Sequence, residues 1–287
     1  MGYDCSLFQR IMRVQPNYVQ MLSIQYRMHP LLSKLPSEYF YQSRLKDAPH
    51  LKQMRHSEWH ENRLFKPYRL FDVENGREEA GGGHSYYNEE EINICLKLVA
   101  KLSNSFPHIL FAGKIGIITF YKKQMHKLRE RFRNHFGGDI LKYIDINTVD
   151  GFQGQEKSIV FLSCVRTGNN VGFLGDVRRI NVALTRARCS LFILGKVKTM
   201  QCNDFWGKLV ADANSRNDIL QITEREIAIE RNMKCENLFA GIFPIDQEAS
   251  ASKSKYQRLD NTGRKRDLSP NEERSVNVNR KKRFIDD

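Results

Sequence analysis

Residues 178–195, RRINVALTRARCSLFILG, join a basic segment to a strand-like apolar run. The first part predicts a helix over 178–186, and the second part predicts a buried strand over 189–195. Cationic side chains held at the mouth of a buried strand require an anionic partner, because an unpaired charge is costly to remove from water. The stretch therefore indicates both a helix–strand unit and an anion site beside Arg186 and Arg188.

The alternation of apolar strands with helices extends through the middle of the chain. The strongest predicted strand is Ile159–Val165, and Asn75–Ser85 is a predicted loop. Asn88 is a typical helix cap, and three glutamates follow it in the first turn. The other strands are predicted at 68–73 and 114–121, and the other helices at 88–102, from 122 through 132, and at 203–213. This order favours an α/β fold with a parallel sheet covered by helices on both faces.

Composition divides the chain into four parts. Residues 1–34 look helical and amphipathic, with a break near Pro16, and residues 35–215 carry the alternating strands and helices. Residues 216–244 form a C-terminal extension. Residues 245–287 are polar and poor in apolar side chains, so we expect a disordered basic tail. In this tail, RKR at 264–266 and RKKR at 280–283 resemble a bipartite nuclear import signal, which predicts nuclear localisation. A basic tail that touches RNA without specificity is the alternative.

The net charge and the cysteines narrow the class of protein. The 287 residues carry a formal net charge of +13, and a balance this basic favours nucleic acid or another polyanion as partner. A charge that serves only solubility is the alternative. The six cysteines form no CxxC pair, and Cys95 and Cys164 lie in apolar runs, which indicates reduced thiols in a cytosolic or nuclear chain. No run approaches transmembrane length and no signal-peptide core is present, so no membrane partner is expected.

Two polar stretches carry candidate binding groups. In QYRMHP, residues 25–30, Arg27 can bind a phosphate through two parallel hydrogen bonds, and Tyr26 can stack on a base. In NTVDGFQGQEK, residues 147–157, Gly151 and Gly154 permit close backbone approach. The hydroxyl, amide and carboxylate of that loop can together bind sugar hydroxyls and phosphate oxygens; they belong to Thr148, Gln153 and Glu156. The alternatives are an exposed arginine beside a core tyrosine, and an ordinary polar turn.

Residues 178–188 carry the third set of candidate groups. Five polar side chains lie on or near one helix end: Arg179, Asn181, Thr185, Arg186 and Arg188. An arginine held by packing at the edge of a domain can neutralise charge on a transferring phosphoryl group. A salt-bridged surface helix is the alternative.

Taken together, the three stretches resemble motifs IV, V and VI of superfamily-1 helicases. LSIQYRMHP, NTVDGFQGQEK and RRINVALTRAR are similar to the branch of RNA/DNA helicases that contains senataxin and the nonsense-mediated-decay helicase. EYFYQSRLKDAP, GKIGIITFYKKQM and SCVRTGNNVGFLGDVRR bring the chain closest to the senataxin-type enzymes and their fungal transcription-termination branch. The resemblance extends from about Tyr3 to Ala213 and leaves out the tail.

The resemblance implies a nucleotide site shared between two domains. In that family two RecA-like domains clamp one ATP with Mg²⁺, and this chain matches the second domain. Arg27 and Arg186 would contact the γ-phosphate, and Arg186 would be the arginine finger, a group typically worth about 10³–10⁵ in rate. The remaining nucleotide-binding residues would be Gly154, Glu156, Gln25 and Tyr26, with Tyr26 packed on the adenine.

The resemblance also implies a nucleic-acid site. Thr119, Gln124 and Thr148 would hold the backbone of RNA or of single-stranded DNA, and Arg188 would support its helix or touch nucleic acid. Backbone contacts carry little sequence information, so binding should be salt-sensitive and nearly independent of sequence. In the whole enzyme, ATP would drive 5′-to-3′ translocation, in transcription termination or R-loop resolution.

The motifs that cradle phosphates and hold Mg²⁺ do not occur in the sequence. It contains no GxxxxGK[ST], and no Asp-Glu pair closes an apolar strand. We therefore expect ATP and Mg²⁺ to be bound mainly by the first RecA-like domain, the start at Met1 to be that of a fragment, and the isolated chain to be inactive as an ATPase. A stand-alone, non-catalytic RNA-binding or helicase-regulatory module is the alternative, although Arg27, Glu156 and Arg186 would then lack a purpose.

Overall fold

A computed structural model describes residues 5–83 and 85–223. This part of the chain contains ten β-strands and eight α-helices. The strands are β1 (Ile24–Gln25), β2 (Lys46–Asp47), β3 (Tyr68–Asp72), β4 (Glu79–Ala80), β5 (Tyr86–Tyr87), β6 (Ile115–Thr119), β7 (Ile144–Thr148), β8 (Lys157–Ser163), β9 (Ala187–Gly195) and β10 (Ile219–Gln221). The helices are α1 (Leu7–Val14), α2 (Pro30–Phe40), α3 (Leu51–Arg55), α4 (Glu89–Ser105), α5 (Lys122–Phe136), α6 (Val177–Leu184), α7 (Val197–Met200) and α8 (Asp204–Ser215).

Six of the strands form one parallel sheet. Their order is β10-β3-β9-β8-β6-β7, and every neighbouring pair runs parallel. Parallel neighbours need long crossover connections, which the helices supply. Residues 178–195 form most of α6 and all of β9, and β9 lies near the middle of the sheet between β3 and β8.

Helices cover both faces of this sheet. Val160 and Leu162 of β8 belong to a hydrophobic cluster that includes the buried faces of α6 and α8. Because side chains alternate along a strand, Ile159 and Phe161 point to the opposite face, where α4 packs against β8 and β9. The predicted α/β fold, a RecA-like parallel sheet with helices on both faces, is confirmed.

Local signals located several elements correctly. Asn88 caps α4 by accepting a hydrogen bond from the Glu91 N–H at 3.2 Å, as the sequence predicts. The five cysteines of the described residues are free, and Cys95 and Cys164 are buried, in agreement with the prediction of reduced thiols. Among the same residues, no helix is long and apolar enough to cross a membrane.

Residues 1–34, predicted as a helical segment with a break near Pro16, are helical at 7–14 and again from Pro30, but not between residues 19 and 29. Helix α1 ends before Pro16, and the chain from Val19 to His29 is largely extended. The reason is tertiary: the His29 N–H donates to the Arg188 carbonyl oxygen at 2.8 Å, which ties this segment to the start of β9. The predicted loop at 75–85 likewise contains a short antiparallel pairing, because β4 joins β5 there.

The sheet continues past the predicted domain limit at residue 215. β10 adds a sixth strand beside β3, and it is anchored by a buried ion pair in which Arg69 Nη1 lies 3.1 Å from Asp218 Oδ1. Arg69 also donates to the carbonyl oxygens of Asn217 and Arg63. The remainder of the predicted 216–244 extension, Cys235 and the predicted disordered tail at 245–287 lie outside the described residues.

Candidate functional site

A cleft of about 480 Å³ opens beside the residues that precede β8 and β9. Three arginines line it, against a single carboxylate, so the cleft is cationic. Its walls are formed by Gln25, Tyr26, Arg27, Met28, Tyr41, Leu45, Arg55, Glu156, Thr185 and Arg186. We call it the first cleft. It brings together five of the six residues predicted to contact the nucleotide, although they are up to 161 positions apart in the chain (186 − 25).

Arg27 bridges the two walls of the first cleft. Its Nε lies 2.5 Å from Glu156 Oε2, and its Nη1 donates to the Thr185 carbonyl oxygen at 3.2 Å. The side chains of Arg27 and Glu156 are each 40% exposed. An anion that enters the cleft can therefore reach the Arg27 guanidinium directly, in competition with Glu156.

Gln25 holds the turn that carries Arg27. Its Oε1 accepts the N–H groups of Arg27 and Met28 at 2.9 and 2.8 Å. Its Nε2 donates to the Met28 carbonyl oxygen and to Asp47 Oδ1. Because the buried amide is fully used within the protein, Gln25 contributes to the first cleft by fixing the backbone of Arg27.

Arg55 is a lining residue that the sequence did not indicate. Its Nε donates to the Arg27 carbonyl oxygen at 2.7 Å, and its Nη2 donates to the Tyr26 carbonyl oxygen at 2.8 Å. It is the last residue of α3 and belongs to none of the three polar stretches. Only the folded chain brings this guanidinium against the 25–28 turn.

Arg186 is held in place by neutral oxygen acceptors. Its guanidinium donates to the carbonyl oxygens of Val182 and Gln155 at 3.0 and 3.3 Å, and to Thr185 Oγ1 at 3.1 Å. Within the described residues no carboxylate forms an ion pair with it. Burial, and then the neighbouring positive charge of Arg27, lower the pKa of Arg186. The group still carries its charge at neutral pH, so the first cleft contains a fixed cation that no carboxylate of the described residues meets at ion-pair distance.

Arg188 lies at the edge of the same site. Its Nη1 is 3.8 Å from Glu156 Oε1, on the side of the carboxylate opposite to Arg27. Its Nε is buried and has no hydrogen-bond partner. The structure thus places Arg188 beside Glu156, one of the predicted nucleotide residues.

Tyr26 and Gly154 offer open approaches to the first cleft. Tyr26 is 67% exposed, so its ring is accessible to a ligand. Gly154 lies two residues before Glu156 and does not line the cleft, but it has a φ of +82°. An L side chain rarely adopts that conformation, which explains the glycine in this loop. A Cβ there would meet nothing within 4 Å, so space is not the constraint.

Two of the residues predicted to contact nucleic acid lie inside the fold. Thr119 and Gln124 are fully buried and expose no group to a ligand. Gln124 Nε2 donates to Ser163 Oγ at 2.8 Å, and its Oε1 accepts the Asn88 N–H at 2.9 Å. The Thr119 hydroxyl accepts the Tyr121 N–H at 3.4 Å. Both polar side chains form their hydrogen bonds inside the protein, where β6 and β8 end.

The same buried network contains an acidic group. Glu91 is fully buried; its carboxylate accepts a hydrogen bond from Ser163 Oγ at 2.6 Å, and the Val165 N–H lies 3.0 Å from each of its oxygens. Burial raises the pKa of Glu91 to about 7, although these hydrogen bonds act in the other direction. Val165 itself has a φ of +71°, an unusual value for a β-branched residue. Glu91 therefore helps to fix a strained turn directly after β8.

Thr148 lines a second cleft, of about 270 Å³, at the carboxyl ends of β6 and β7. The other lining residues are Gly83, Ser85, Phe120, Tyr121, Lys122, Asp150, Phe173 and Arg179. Ligands of parallel α/β sheets commonly bind at this end of the strands. We call this the second cleft; it gives the Thr148 prediction an open surface that Thr119 and Gln124 lack.

The two clefts share two structural elements. The loop 148–156 contributes Thr148 and Asp150 to the second cleft and Glu156 to the first. Helix α6 and its C-terminal flank contribute Arg179 to the second cleft and Arg186 to the first. Within the parts of the chain that are described, no group of three His, Cys, Asp or Glu side chains could hold a metal ion.

Comparison with known proteins identifies the family. A family model described as an AAA domain matches residues 3–198. Helicase sen1 of Schizosaccharomyces pombe is 49% identical over 218 residues, and Helicase SEN1 of Saccharomyces cerevisiae is 47% identical over 220 residues. The probable helicase senataxin of Homo sapiens is 34% identical over 238 residues. The chain therefore belongs to the AAA-domain family, and over the matched residues it is similar to helicases of the senataxin type.

The match covers most of this chain but little of its relatives. The aligned region covers 75% of this chain in each of the two yeast comparisons and 78% in the human comparison. It covers 13% of the S. pombe helicase, 10% of the S. cerevisiae helicase and 9% of human senataxin. The chain thus spans about a tenth of the length of these proteins.

Proposed function

We propose that this chain is the second RecA-like domain of an ATP-dependent, 5′-to-3′ RNA/DNA helicase of the nucleus, active in transcription termination or R-loop resolution. One observation carries the proposal: the first cleft collects Arg27, Arg186 and Glu156 where β8 and β9 begin. A cationic cleft with one uncompensated guanidinium suits a polyphosphate, which offers the anionic oxygens that arginine binds best.

We assign a task to four residues of the first cleft and to Arg188 at its edge. Arg186 is the arginine finger: its guanidinium is held by neutral acceptors and is ready to stabilise the charge that develops on a γ-phosphate. Arg27 binds the same phosphate after its ion pair with Glu156 has opened. Tyr26 stacks on the base, and Glu156 accepts from the ribose hydroxyls while Arg188 orients it. Preorganised donors of this kind cost no rearrangement at the moment of reaction.

ATP supplies the phosphoryl group and Mg²⁺ neutralises its oxygens, and we assign the cradle for both to a first RecA-like domain that carries GxxxxGK[ST]. Helix α1 offers a surface for that domain. None of its residues is buried, and Leu7, Phe8 and Val14 are highly exposed. Helix α1 precedes the segment that carries Arg27. A partner domain that packs on α1 would therefore contact the part of the chain that leads into the first cleft. Burying an apolar side chain of this size typically contributes about 1.5–3 kcal/mol.

The second cleft is the proposed path of the nucleic-acid strand. Thr148 and Lys122 supply a hydroxyl and an ammonium to it, and these groups suit sugar and phosphate oxygens. RNA and single-stranded DNA both offer those oxygens. Because the contacts are to the backbone, affinity should fall with salt and depend little on sequence.

A chimeric enzyme tests the catalytic assignment. Residues of this chain replace the aligned 218-residue segment of Helicase sen1 from S. pombe, which is 49% identical. Arg186→Ala in the chimera should lower the rate of ATP hydrolysis by roughly 10³-fold and leave RNA affinity unchanged. Arg178→Ala is the matched control, because Arg178 lies on the same helix with its side chain 87% exposed. Loss of RNA binding with unchanged hydrolysis in the Arg186 variant would refute the assignment.

A second candidate function is a stand-alone, non-catalytic RNA-binding or helicase-regulatory module. The formal net charge of +13 supports the RNA binding of such a module. In that case the chimera would show no hydrolysis that depends on Arg186, while the unmodified chain would still bind RNA.

A further inference from the structure

Phe173 places an exposed aromatic ring in the second cleft. The residue is 47% exposed and lies in a short 3₁₀ turn between Gly172 and Gly175. A single exposed apolar side chain needs no explanation. This one, however, shares its cleft with Lys122 and Arg179, and an aromatic ring among cations is the combination that single-stranded nucleic acids recognise.

The ring is held by other aromatic side chains. Tyr121 lies behind it, with ring centroids 5.8 Å apart, and Tyr86 contacts Tyr121 edge-on at 5.8 Å. Tyr121 is buried, and its hydroxyl accepts a hydrogen bond from Arg166 at 3.4 Å. Phe173 is thus the solvent end of a row of three packed rings, and such a preorganised ring loses little freedom when a ligand stacks on it.

The charges around Phe173 favour a polyanion. The Arg179 guanidinium lies 5.4 Å from the Phe173 ring centroid. It also forms two hydrogen bonds with Asp150, Nε to Oδ1 at 3.1 Å and Nη2 to Oδ2 at 3.0 Å. This pairing neutralises the one carboxylate of the second cleft. Lys122 forms no ion pair with another described residue, so it remains as the free cation there.

We propose that Phe173 stacks on one base of a bound single strand, while Lys122 and Thr148 hold the adjoining sugar and phosphate. The inference rests on the proposed function, because it takes the second cleft as the path of the strand. It adds a base contact to a site that otherwise touches only backbone. Every base has a π-face, so the contact strengthens binding without reading sequence.

Three oligomers, two with bases and one without, separate a base contact from a backbone contact. The unmodified 287-residue chain and its Phe173→Leu variant are titrated by fluorescence anisotropy with labelled (dT)₁₂, with U₁₂ and with a fully abasic 12-mer. Phe173→Leu should weaken binding to (dT)₁₂ and U₁₂ by about five- to fifty-fold and leave binding to the abasic 12-mer unchanged. Phe173→Trp should restore or improve affinity for both base-bearing oligomers.

Two control variants complete the design. Tyr18→Leu replaces a ring that is 85% exposed and lies outside both clefts, so it should change nothing. Lys122→Ala should reduce the slope of log K against log salt by about 0.7, the value for one phosphate contact on a single strand, whereas Phe173→Leu should leave the slope intact. Urea unfolding of each variant shows whether it folds.

The outcomes distinguish the inference from the proposed function. If the unmodified chain binds none of the oligomers, the nucleic-acid part of the proposed function fails, and the inference fails with it. If it binds them, but folded Phe173→Leu matches it on (dT)₁₂ and U₁₂, only the stacking inference is overturned. An equal loss on the base-bearing and the abasic 12-mers overturns it as well, because the ring would then support the backbone contact alone.

Discussion

The buried carboxyl group of Glu91 makes the stability of this domain depend on pH in a defined direction. Burial raises its pKa from the ordinary 4.5 to about 7. Between these values the folded chain binds a proton that the unfolded chain does not. This contribution to stability is therefore fully present below pH 4.5 and is lost as the pH rises through 7.

The size of the effect follows from the two pKa values. Each unit of difference corresponds to about 1.4 kcal/mol, and integration from pH 5 to pH 8 gives a loss of about 2.5 kcal/mol in the free energy of unfolding. Glu91→Gln removes the titration and keeps the shape of the side chain. Its amide can still accept from the Val165 N–H and bond to Ser163 Oγ, the groups that meet Glu91 at 3.0 and 2.6 Å.

Urea unfolding of both proteins at pH 5, 6, 7 and 8 measures the difference. The unmodified protein should lose about 2.5 kcal/mol relative to Glu91→Gln across this range. Glu130→Gln, on the exposed side of α5, is the control and should follow the unmodified protein. A difference that stays constant with pH, or that grows in the opposite direction, would refute the reasoning, because Glu91 would then titrate alike in the folded and unfolded chains.

Two further predictions concern the first cleft and its surroundings. Burial lowers the pKa of His29 from 6.5 to about 4, so the unmodified protein should lose stability relative to His29→Asn as the pH falls from 6.5 towards 4; parallel urea curves at pH 7 and pH 4.5 test this, and an unchanged difference would contradict it. Arg55→Ala removes two hydrogen bonds to the turn that carries Arg27, so kcat/KM for ATP in the chimera should fall roughly ten- to hundred-fold while RNA affinity is kept; full activity would show that the turn is fixed without Arg55.

Sequence patterns that span only a few neighbouring residues were sufficient to predict much of the fold. Asn88 and the glutamates after it define the start of α4, and the apolar run at 189–195 gives most of β9, because caps and buried strands depend on adjacent residues. β10 could not be predicted in this way. Its three residues, Ile219–Gln221, carry no periodicity, and they are a strand because Arg69 and Asp218 bring them to the sheet edge.

The candidate site was predictable where motif residues reach the surface. Tyr26, Arg27, Glu156 and Arg186 converge on one cleft, as the resemblance to superfamily-1 helicases implies. Resemblance transfers the identity of a residue but not its burial, so it placed Gln124 on nucleic acid while the fold uses it inside. Arg55 and Phe173 lie outside the three stretches that supplied candidate groups, and their place in the clefts becomes visible only when distant segments meet.

The shared walls of the two clefts have a thermodynamic consequence. The Asp150–Arg179 pair joins the loop 148–156 to α6 at the second cleft, and the bond from Arg186 to the Gln155 carbonyl oxygen joins the same two elements at the first. A ligand that draws Arg179 away from Asp150 removes one of the two links between the loop 148–156 and α6. The position of Arg186 then depends on the remaining link. Linkage is reciprocal, so whatever factor a bound strand applies to nucleotide affinity, the nucleotide must apply to the strand.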